Sequence, residues 1–560
     1  MIHSRTILLS AFIFVSVTAG TVLLPVRVLA QAEHVPVEHP VYDFLNRMHV
    51  RGAVEGYSRS SLPLERKQVT GLLRTLDSAA NGLSGVERDL LTRFHDEFVA
   101  EADGTQRPVV LFETRVAELP ASTFSDREKF LYRWRSGDRQ SSFYMELLGS
   151  LEYRTRLADD GDANVTLGRL GGRFRGTLGG IFGYQLAATN GTTAGNRALA
   201  LTDPQLRRSF TYGELDNPFF DYAEAVISGT WSWGSASLGK EKRLSGIGHS
   251  SRAVLSTNAQ PFDAITLSLH RGDVRFSFLH GSLLSELEML EGGRPYYDAK
   301  YIATHRIEAD LFGALRLGVF ESVIYSGRQV DLAYLNPVNF YKSAEHAGGD
   351  RDNPLLGFEL SSLGIRGLEL YGSWLIDDVD FSRIGDSWWG NKFIFQAGAT
   401  STHIVNTDIT VEYTRINPYV YTHRLDGNQY THNRDVLGLE IPPNSDELFV
   451  SARHWLSAEL WVELEYRHRR HGRNEVDAEG NVIVNHGGDV YESLDYVRDS
   501  DIAPFLDGPR DAVDLVTLLL RWEPWRNIIF AGQYRYRDRR SEIDAERVDH
   551  YISFGMWIEY

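Results

Sequence analysis

The chain has 560 residues, no Cys, 12% aromatic residues and a formal net charge of −17. The absence of Cys excludes a disulfide framework and thiolate sites for metal or haem. The acidic balance argues against binding to a phosphate backbone, so nucleic acid is not an expected partner. Aromatic and aliphatic residues spread over the whole length exclude low-complexity disorder.

The first 32 residues have the layout of an export signal. Arg5 precedes an apolar stretch from Ile7 to about Leu24, and small residues offer cleavage after Ala30 or Ala32. No later run of about 18 apolar residues exists, so we expect no membrane-spanning helix. The exported chain is then expected either to be soluble or to cross the outer membrane as a β-barrel.

Residues 33–111 are predicted to form a small helical domain. Apolar residues recur at helical spacing over 41–48. Ser61 is interpreted as the N-cap of a second helix with Pro63 in its first turn, and Ser84 opens a capping box for a third. Such short helices bury little core alone, so we expect them to pack on a larger body.

From residue 112 onward the hydrophobic period changes to two. Apolar and charged residues alternate in the segments Phe143–Leu157, Leu456–Arg469 and Ile528–Arg537. Such alternation is typical of transmembrane barrels, although a soluble sandwich also alternates. The terminal YISFGMWIEY, which ends on Tyr560, resembles the signal read by the barrel assembly machinery. We therefore predict a mainly β protein in which residues 112–560 form an antiparallel outer-membrane barrel.

The expected size of the barrel follows from its length. At about 25 residues per strand, residues 112–560 supply about 18 strands, with 16 or 20 as alternatives. An even number places both ends of the barrel, and hence the helical domain, in the periplasm.

The polar faces of the predicted strands carry charges of both signs. We interpret them as a salt-bridged lumen wall; a carboxylate pair for glycoside hydrolysis is the alternative. The residues are Glu146, Glu152, Arg154, Arg156, Glu459, Glu463, Glu465 and Arg467.

Three stretches resemble the Wzi family of capsule-assembly outer-membrane proteins. They are YDFLNRMHVRGAVEGY with the helical segments after it, SGIGHSSRAVLSTNAQPFDAITL, and YLNPVNFYKSAEHAGGDRDNPLLGFEL. Their order covers nearly the whole exported chain, and this chain looks longer than the family, so its ligand is expected to differ. The resemblance implies an 18-stranded barrel with a periplasmic helical bundle that binds capsular polysaccharide as a surface lectin.

Two polar stretches are candidate polysaccharide-binding sites. Amides, charges and aromatic rings suit the paired hydroxyls and C–H faces of sugars. A loop that folds into the lumen and satisfies its own polar groups is the alternative, and a Ca²⁺ site at Asp350, Asp352 and Asn353 offers too few ligands. The candidate residues are Asn336, Asn339, Tyr341, Lys342, His346, Asp350, Arg351, Asp352, Asn353, Arg469, Arg470 and Arg473.

The sequence thus predicts a non-enzymatic outer-membrane barrel that anchors capsular or extracellular polysaccharide, without a cofactor or a resident metal. Lipids or lipopolysaccharide and the barrel assembly machinery are the other expected partners. The segment Gly246–Arg252 does not match a nucleophile elbow, so a barrel hydrolase has little support. A porin for sugars or ions is the main alternative, and an occluded or open lumen separates the two.

Overall fold

The computed structural model describes residues 31–203, 206–207, 218–289 and 295–560. The predicted export signal lies outside the described residues except for Gln31 and Ala32. Within those ranges, no helix is long and apolar enough to cross a membrane.

The helices are short and concentrate before residue 104. A 3₁₀ segment at Leu76–Gly82 follows the second helix, and a π turn at His95–Val99 joins the third helix to the fourth. The helices are α1 (Val41–Val50), α2 (Arg66–Thr75), α3 (Gly85–Phe94), α4 (Ala100–Asp103), α5 (Leu119–Thr123), α6 (Arg197–Ala200), α7 (Leu332–Leu335) and α8 (Tyr341–Ala347).

The predicted capping box of the third helix is confirmed, because Glu87 N–H donates to Ser84 Oγ and Ser84 N–H donates to the Glu87 carboxylate. The predicted start of the second helix is wrong. Ser61–Leu62 is a short strand that pairs with Leu244–Ser245, and α2 begins only at Arg66. The Ser61 segment, which local signals assigned to a helix, instead pairs with a strand that is distant in the chain.

Eighteen antiparallel strands close into a barrel, which confirms the predicted fold class. Each strand pairs with its neighbour along the chain, and the last strand closes the ring on the first with Gly555 opposite Glu152. The strands are β1 (Ser142–Ala158), β2 (Ala163–Leu178), β3 (Phe182–Gly195), β4 (Phe219–Trp231), β5 (Gly234–Glu241), β6 (Phe262–Arg271), β7 (Val274–Met289), β8 (Pro295–Leu311), β9 (Leu315–Ser326), β10 (Asn353–Ile365), β11 (Leu368–Asp378), β12 (Lys392–Ser401), β13 (Thr407–Ile416), β14 (Ser445–Trp455), β15 (Leu460–Gly472), β16 (Arg510–Trp525), β17 (Ile528–Ser541) and β18 (Arg547–Glu559).

Short strands supplement the barrel. Tyr132–Arg135 pairs with the first residues of β1 at the end where β18 stops. The remaining pairs are Val109–Val110 with Lys129–Phe130, Thr431–His432 with Asp435–Val436, and Glu475–Val476 with Val482–Val484.

The two ends of the barrel differ in loop length. Turns such as 179–181, 232–233 and 526–527 are short and lie at the end where β1 begins and β18 finishes. The opposite end carries the long connections, which include 327–352, 379–391, 417–444 and 473–509. Short periplasmic turns and long external loops are the pattern of outer-membrane barrels.

The alternation of side chains sets the two faces of the wall. In β1, Tyr144 and Glu146 are buried and face the lumen, whereas Leu151 and Tyr153 are exposed on the outside. In β16, Leu518, Leu520 and Trp522 are exposed in the same way. One boundary needs correction, because residues 456–459 form the turn before β15 rather than the start of that strand.

Candidate functional site: an occluded lumen and an aromatic outer rim

The N-terminal helical region, residues 31–103, lies inside the periplasmic end of the barrel. Charged side chains around the wall hold it in place, and most of these pairs are buried. The pairs are Arg47–Asp408, Arg59–Glu369, Arg175–Glu101, Arg453–Asp43 and Arg526–Glu97. Because the wall partners come from strands all round the barrel, the helical region fills the lumen at this level.

The eight lumen charges named from the sequence all have ionic partners, which confirms the lattice interpretation. Glu459 differs from the other seven in position, because it lies in a periplasmic turn and not on the barrel wall. The pairs are Glu146–Arg175, Glu152–Arg154, Arg156–Asp549, Glu459–Arg93, Glu463–Arg453, Arg467–Glu447 and Glu465–Arg467.

The loop after β5, residues 242–261, folds into the middle of the lumen. Its start is tied to the helical region, because Gly246 N–H donates to Ser60 O over 2.9 Å. Further along, His249 N–H donates to a carboxylate oxygen of Glu412 on the wall over 2.7 Å. The glycine-rich segment from Gly246 therefore serves as a lumen loop.

A third layer comes from the external loop 417–444. The Tyr421 and Tyr430 rings stack with their centroids 4.9 Å apart, and the two hydroxyls donate to Ala253 O and Val254 O. Both tyrosines are fully buried. Described residues therefore cross the lumen at three levels, from the periplasmic end to the outer face.

The predicted ligand loop 327–352 does not enter the lumen. It folds over the outward face of β8–β10, where Tyr341 N–H donates to Glu321 Oε2 over 3.0 Å. Several of its predicted ligand residues have partners inside the protein. Asp352 accepts from Arg328 and Tyr334, Asn353 donates to Asn428 O, and Asn339 donates to Ala333 O.

The other predicted residues of this loop lie nearer the surface. Asn336, His346, Asp350 and Arg351 are exposed, and Lys342 is half-buried. The structure thus divides the predicted set, because the buried Tyr341 and Asp352 stabilise the loop and Asn353 on β10 contacts Asn428 of the external loop 417–444. A polymer would meet only the exposed members.

The basic cluster is also divided between faces. Arg469 faces the lumen and pairs with Glu440 and Glu447, whereas Arg470 faces outward and pairs with Asp446. Arg473 pairs with Asp511 at the outer end of β16 and with Asp544 in the loop after β17. Acidic neighbours therefore neutralise all three predicted arginines.

Among the described residues, Glu345, His346 and Asp350 bring metal-ligating atoms within 4.8 Å of one another. Burial, together with a hydrogen bond to Asp350, raises the pKa of Glu345 to about 7. Lys342 Nζ lies 3.4 Å from Glu345 Oε2 and already supplies positive charge. A carboxyl group with a raised pKa beside an ammonium group is a poor cation ligand.

An aromatic pocket on the outer rim was not found from the sequence. The loop 379–391 and residues 500–506 fold together over the outer ends of β12 and β13, because Trp388 bridges to Ile502 and Trp389 N–H donates to Asp501 O. They enclose a cavity of about 180 Å³. Its lining includes Trp388, Trp389, Phe393, Arg415 and Phe505.

Arg415 is the cation of this rim pocket. Its guanidinium carbon lies 3.8 Å from the centroid of the Phe505 ring, and its Nε donates to Asn417 Oδ1 over 3.2 Å. Within the described ranges, no carboxylate pairs with it. Beside the pocket, Trp389 packs edge-on against Tyr496, whose side chain is 76% exposed. The rim thus offers flat apolar surfaces next to an uncompensated positive charge.

The adjacent tryptophans between Gly385 and Gly390 are a signal that sequence reasoning could have used. Two large aromatic residues in a glycine-bounded external loop contribute little to core packing, which favours a role in binding.

Comparisons with known proteins give the same architecture. The model of the capsule assembly protein Wzi family matches residues 152–508, which is more than half of the chain. The fold resembles that of Wzi from Escherichia coli, an outer membrane protein involved in group 1 capsule assembly and described as a carbohydrate-binding β-barrel. That likeness has a TM-score of 0.53 at 12% identity and covers 93% of this chain and 99% of that one.

A BenF-like porin from Pseudomonas fluorescens Pf-5 is more distant, with a TM-score of 0.45 and 7% identity over 74% of this chain and 99% of its own. No curated protein matches the chain in a sequence comparison.

The fold and the filled lumen define an outer-membrane β-barrel whose external loops are available for binding. More narrowly, the chain belongs to the Wzi family of capsule assembly proteins.

Proposed function

We propose that this barrel binds capsular or extracellular polysaccharide at the outer face of the cell and holds it there without chemical change. Membership of a capsule assembly family supports this role, and the E. coli relative is described as carbohydrate-binding. The three layers in the lumen also support it, because they leave the outer face as the surface that a polymer can reach. Lipopolysaccharide and the assembly machinery remain proposed partners.

The rim pocket is the observation that carries the proposal. A sugar ring can stack its C–H face on Trp388 or Phe505, while its hydroxyls meet polar groups at the pocket edge. A volume of about 180 Å³ is smaller than an ordinary drug-sized pocket, so it suits one sugar unit of a longer chain. The polymer would bind through repeated weak contacts, which together give higher affinity, rather than through one deep site.

The charge at Arg415 favours an acidic sugar. A carboxylate or phosphate on the polymer would take the place of the missing protein carboxylate and form a charge-assisted hydrogen bond. The exposed members His346, Asp350 and Arg351 of the predicted set are further candidate contacts outside the pocket. They lie on the loop after β9, away from Trp388 along the wall.

Equilibrium binding by the purified barrel tests the proposal. Fluorescently labelled acidic capsular polymer should bind the unchanged protein and bind Trp388→Ala at least tenfold more weakly. Trp233→Ala serves as the control, because Trp233 is an exposed tryptophan in a periplasmic turn. Equal binding by all three proteins would contradict a rim site.

A porin is the second candidate. Two cavities of about 400 and 260 Å³ remain between the helical region and the wall, and both are lined by charged side chains. Conductance in a planar bilayer separates the two functions. We expect the unchanged protein to give no steady ion current, whereas a porin would conduct continuously.

A further inference from the structure

We propose that residues 332–340 of the loop after β9 lie within the outer leaflet of the membrane and present an apolar surface to the lipid acyl chains. We name the whole loop, residues 327–352, the flank loop. This inference concerns the lipid side of the wall, so it goes beyond polysaccharide binding and does not depend on it.

The flank loop packs on the outward face of the barrel. In β9, Leu317 and Val319 point outward and are exposed, and the alternation places Glu321, Val323 and Tyr325 on the same face. Those three residues are buried. The loop buries them, because Tyr334 packs against Tyr325 with ring centroids 5.1 Å apart, and Tyr341 contacts Glu321.

A carboxylate–imidazole contact lies beneath the loop. Glu321 Oε2 is 3.1 Å from His305 Nε2 on β8, and the His305 ring is 4.4 Å from the Tyr341 ring. Both residues belong to the outward face, where a bare carboxylate in lipid would be costly. Tyr341, at the start of α8, donates a further hydrogen bond from its backbone N–H to the Glu321 carboxylate. The loop that carries Tyr341 separates this carboxylate from the lipid.

The position of Glu321 along β9 places the pair at membrane depth. A strand tilted about 40° rises roughly 2.5 Å per residue along the membrane normal. Glu321 follows Leu315, the first residue of β9, by six positions, so it lies about 15 Å above the periplasmic turn. The apolar belt of such barrels is about 25 Å tall. The flank loop therefore covers the wall within the belt.

The part of the flank loop over residues 332–340 has an outer surface that is largely apolar. Leu332, Val338 and Phe340 have exposed fractions of 77%, 82% and 52%. Exposed apolar side chains in one loop mark an interaction surface. The surface continues the lipid-facing wall, because Phe358 and Leu360 on neighbouring β10 are exposed on the outward face. Lipid acyl chains are the occupant that this continuity favours.

The absence of Cys from the chain permits a direct test. Val338→Cys and Phe340→Cys, each labelled with a nitroxide, are reconstituted in phosphatidylethanolamine–phosphatidylglycerol vesicles. Their relaxation by molecular oxygen and by a water-soluble nickel chelate is then measured. Leu360→Cys is the lipid control, and Val497→Cys is the water control, because Val497 is 97% exposed in the loop 473–509.

The proposal expects both flank labels to resemble Leu360→Cys, with strong relaxation by oxygen and at least fivefold less relaxation by nickel than at Val497→Cys. Nickel access equal to that at Val497→Cys would place the loop in water and overturn the proposal. Protection from both reagents would indicate a protein neighbour or a second copy, and would also overturn it. Heat-dependent gel migration confirms that each labelled barrel is folded.

Discussion

Arg175 in β2 donates to the Glu101 carboxylate at the end of the helical region, with Nη2 and Oε2 2.9 Å apart and both side chains buried. The same guanidinium also pairs with Glu33 of the helical region and with Glu146 on the wall. One wall arginine thus joins the barrel to two parts of the segment that fills its lumen. Because these side chains are buried, removing one partner leaves the other charges buried without full compensation.

We predict that Arg175→Met loosens the helical region. Breaking a buried ion pair costs about 3–5 kcal/mol, so transient release should become at least a hundredfold more frequent. The measurement is the rate of proteolysis within residues 31–103 of the folded barrel, together with bilayer current. Arg74→Ala is the control, because Arg74 pairs with Asp103 at the surface, where such pairs contribute little. Equal proteolysis of both variants would show that Arg175 does not hold the region.

Arg415→Gln should weaken binding of an acidic polymer about tenfold, since a hydrogen bond to a charged group contributes about 1.5–3 kcal/mol. The dependence of affinity on salt should flatten as well. Arg470→Gln is the matched control, because Arg470 is also an outward arginine at the outer end of the wall but pairs with Asp446. If the two variants lose the same affinity, the net charge of the rim and not the pocket determines binding.

Acidification should destabilise the helical region through His49. Burial, together with the positive charge of Arg316, lowers the pKa of His49 to about 4. The unfolded segment binds a proton near pH 6.5, whereas the folded one does not. The free energy of unfolding of the helical region is therefore highest above pH 6.5. It decreases by up to about 3 kcal/mol as the pH falls towards 4.

Proteolysis of residues 31–103 measured from pH 7 to 4.5 tests this dependence. His49→Gln should flatten the profile over that window, whereas exposed His346→Gln should leave it unchanged. A profile of His49→Gln that is as steep as that of the unchanged protein would assign the pH dependence to other groups.

We predict that the export signal is cleaved after Ala30. Gln31 is buried, its amide donates to Phe98 O over 2.8 Å, and Ala32 N–H donates to Thr177 Oγ1 over 2.9 Å. Cleavage after Ala32 would remove the Gln31 contacts. Mass spectrometry of the N-terminal peptide from the exported protein should find Gln31 as its first residue, and a peptide that begins at Glu33 would contradict this.

Much of the fold could be predicted from local pattern. Alternation in Phe143–Leu157 assigned lumen and outward faces correctly, because a strand buried on one side must repeat every two residues. The box at Ser84 and Glu87 marked the start of α3, because its hydrogen bonds involve only neighbouring residues. The same reasoning gave a wrong result at Ser61, because its strand partner, Ser245, is distant in the chain.

The candidate site was less predictable, because composition does not tell in which direction a loop folds. The polar stretch around Tyr341 and Asp352 has the residue types of a sugar site, yet the fold places both side chains inside the flank loop. The rim pocket needs Arg415 from one strand and Phe505 from a distant loop. No spacing along the chain encodes that meeting.

The most direct test of the account is the distribution of polysaccharide in cells that express Trp388→Ala with Trp389→Ala in place of the unchanged chain. When both proteins are present at equal amounts on the cell surface, the total amount of polymer should stay constant. Most of the polymer should move from the cell surface to the medium in cells with the double variant. Full retention of polymer on the cells, or a fall in the total amount made, would contradict a rim that holds finished polysaccharide.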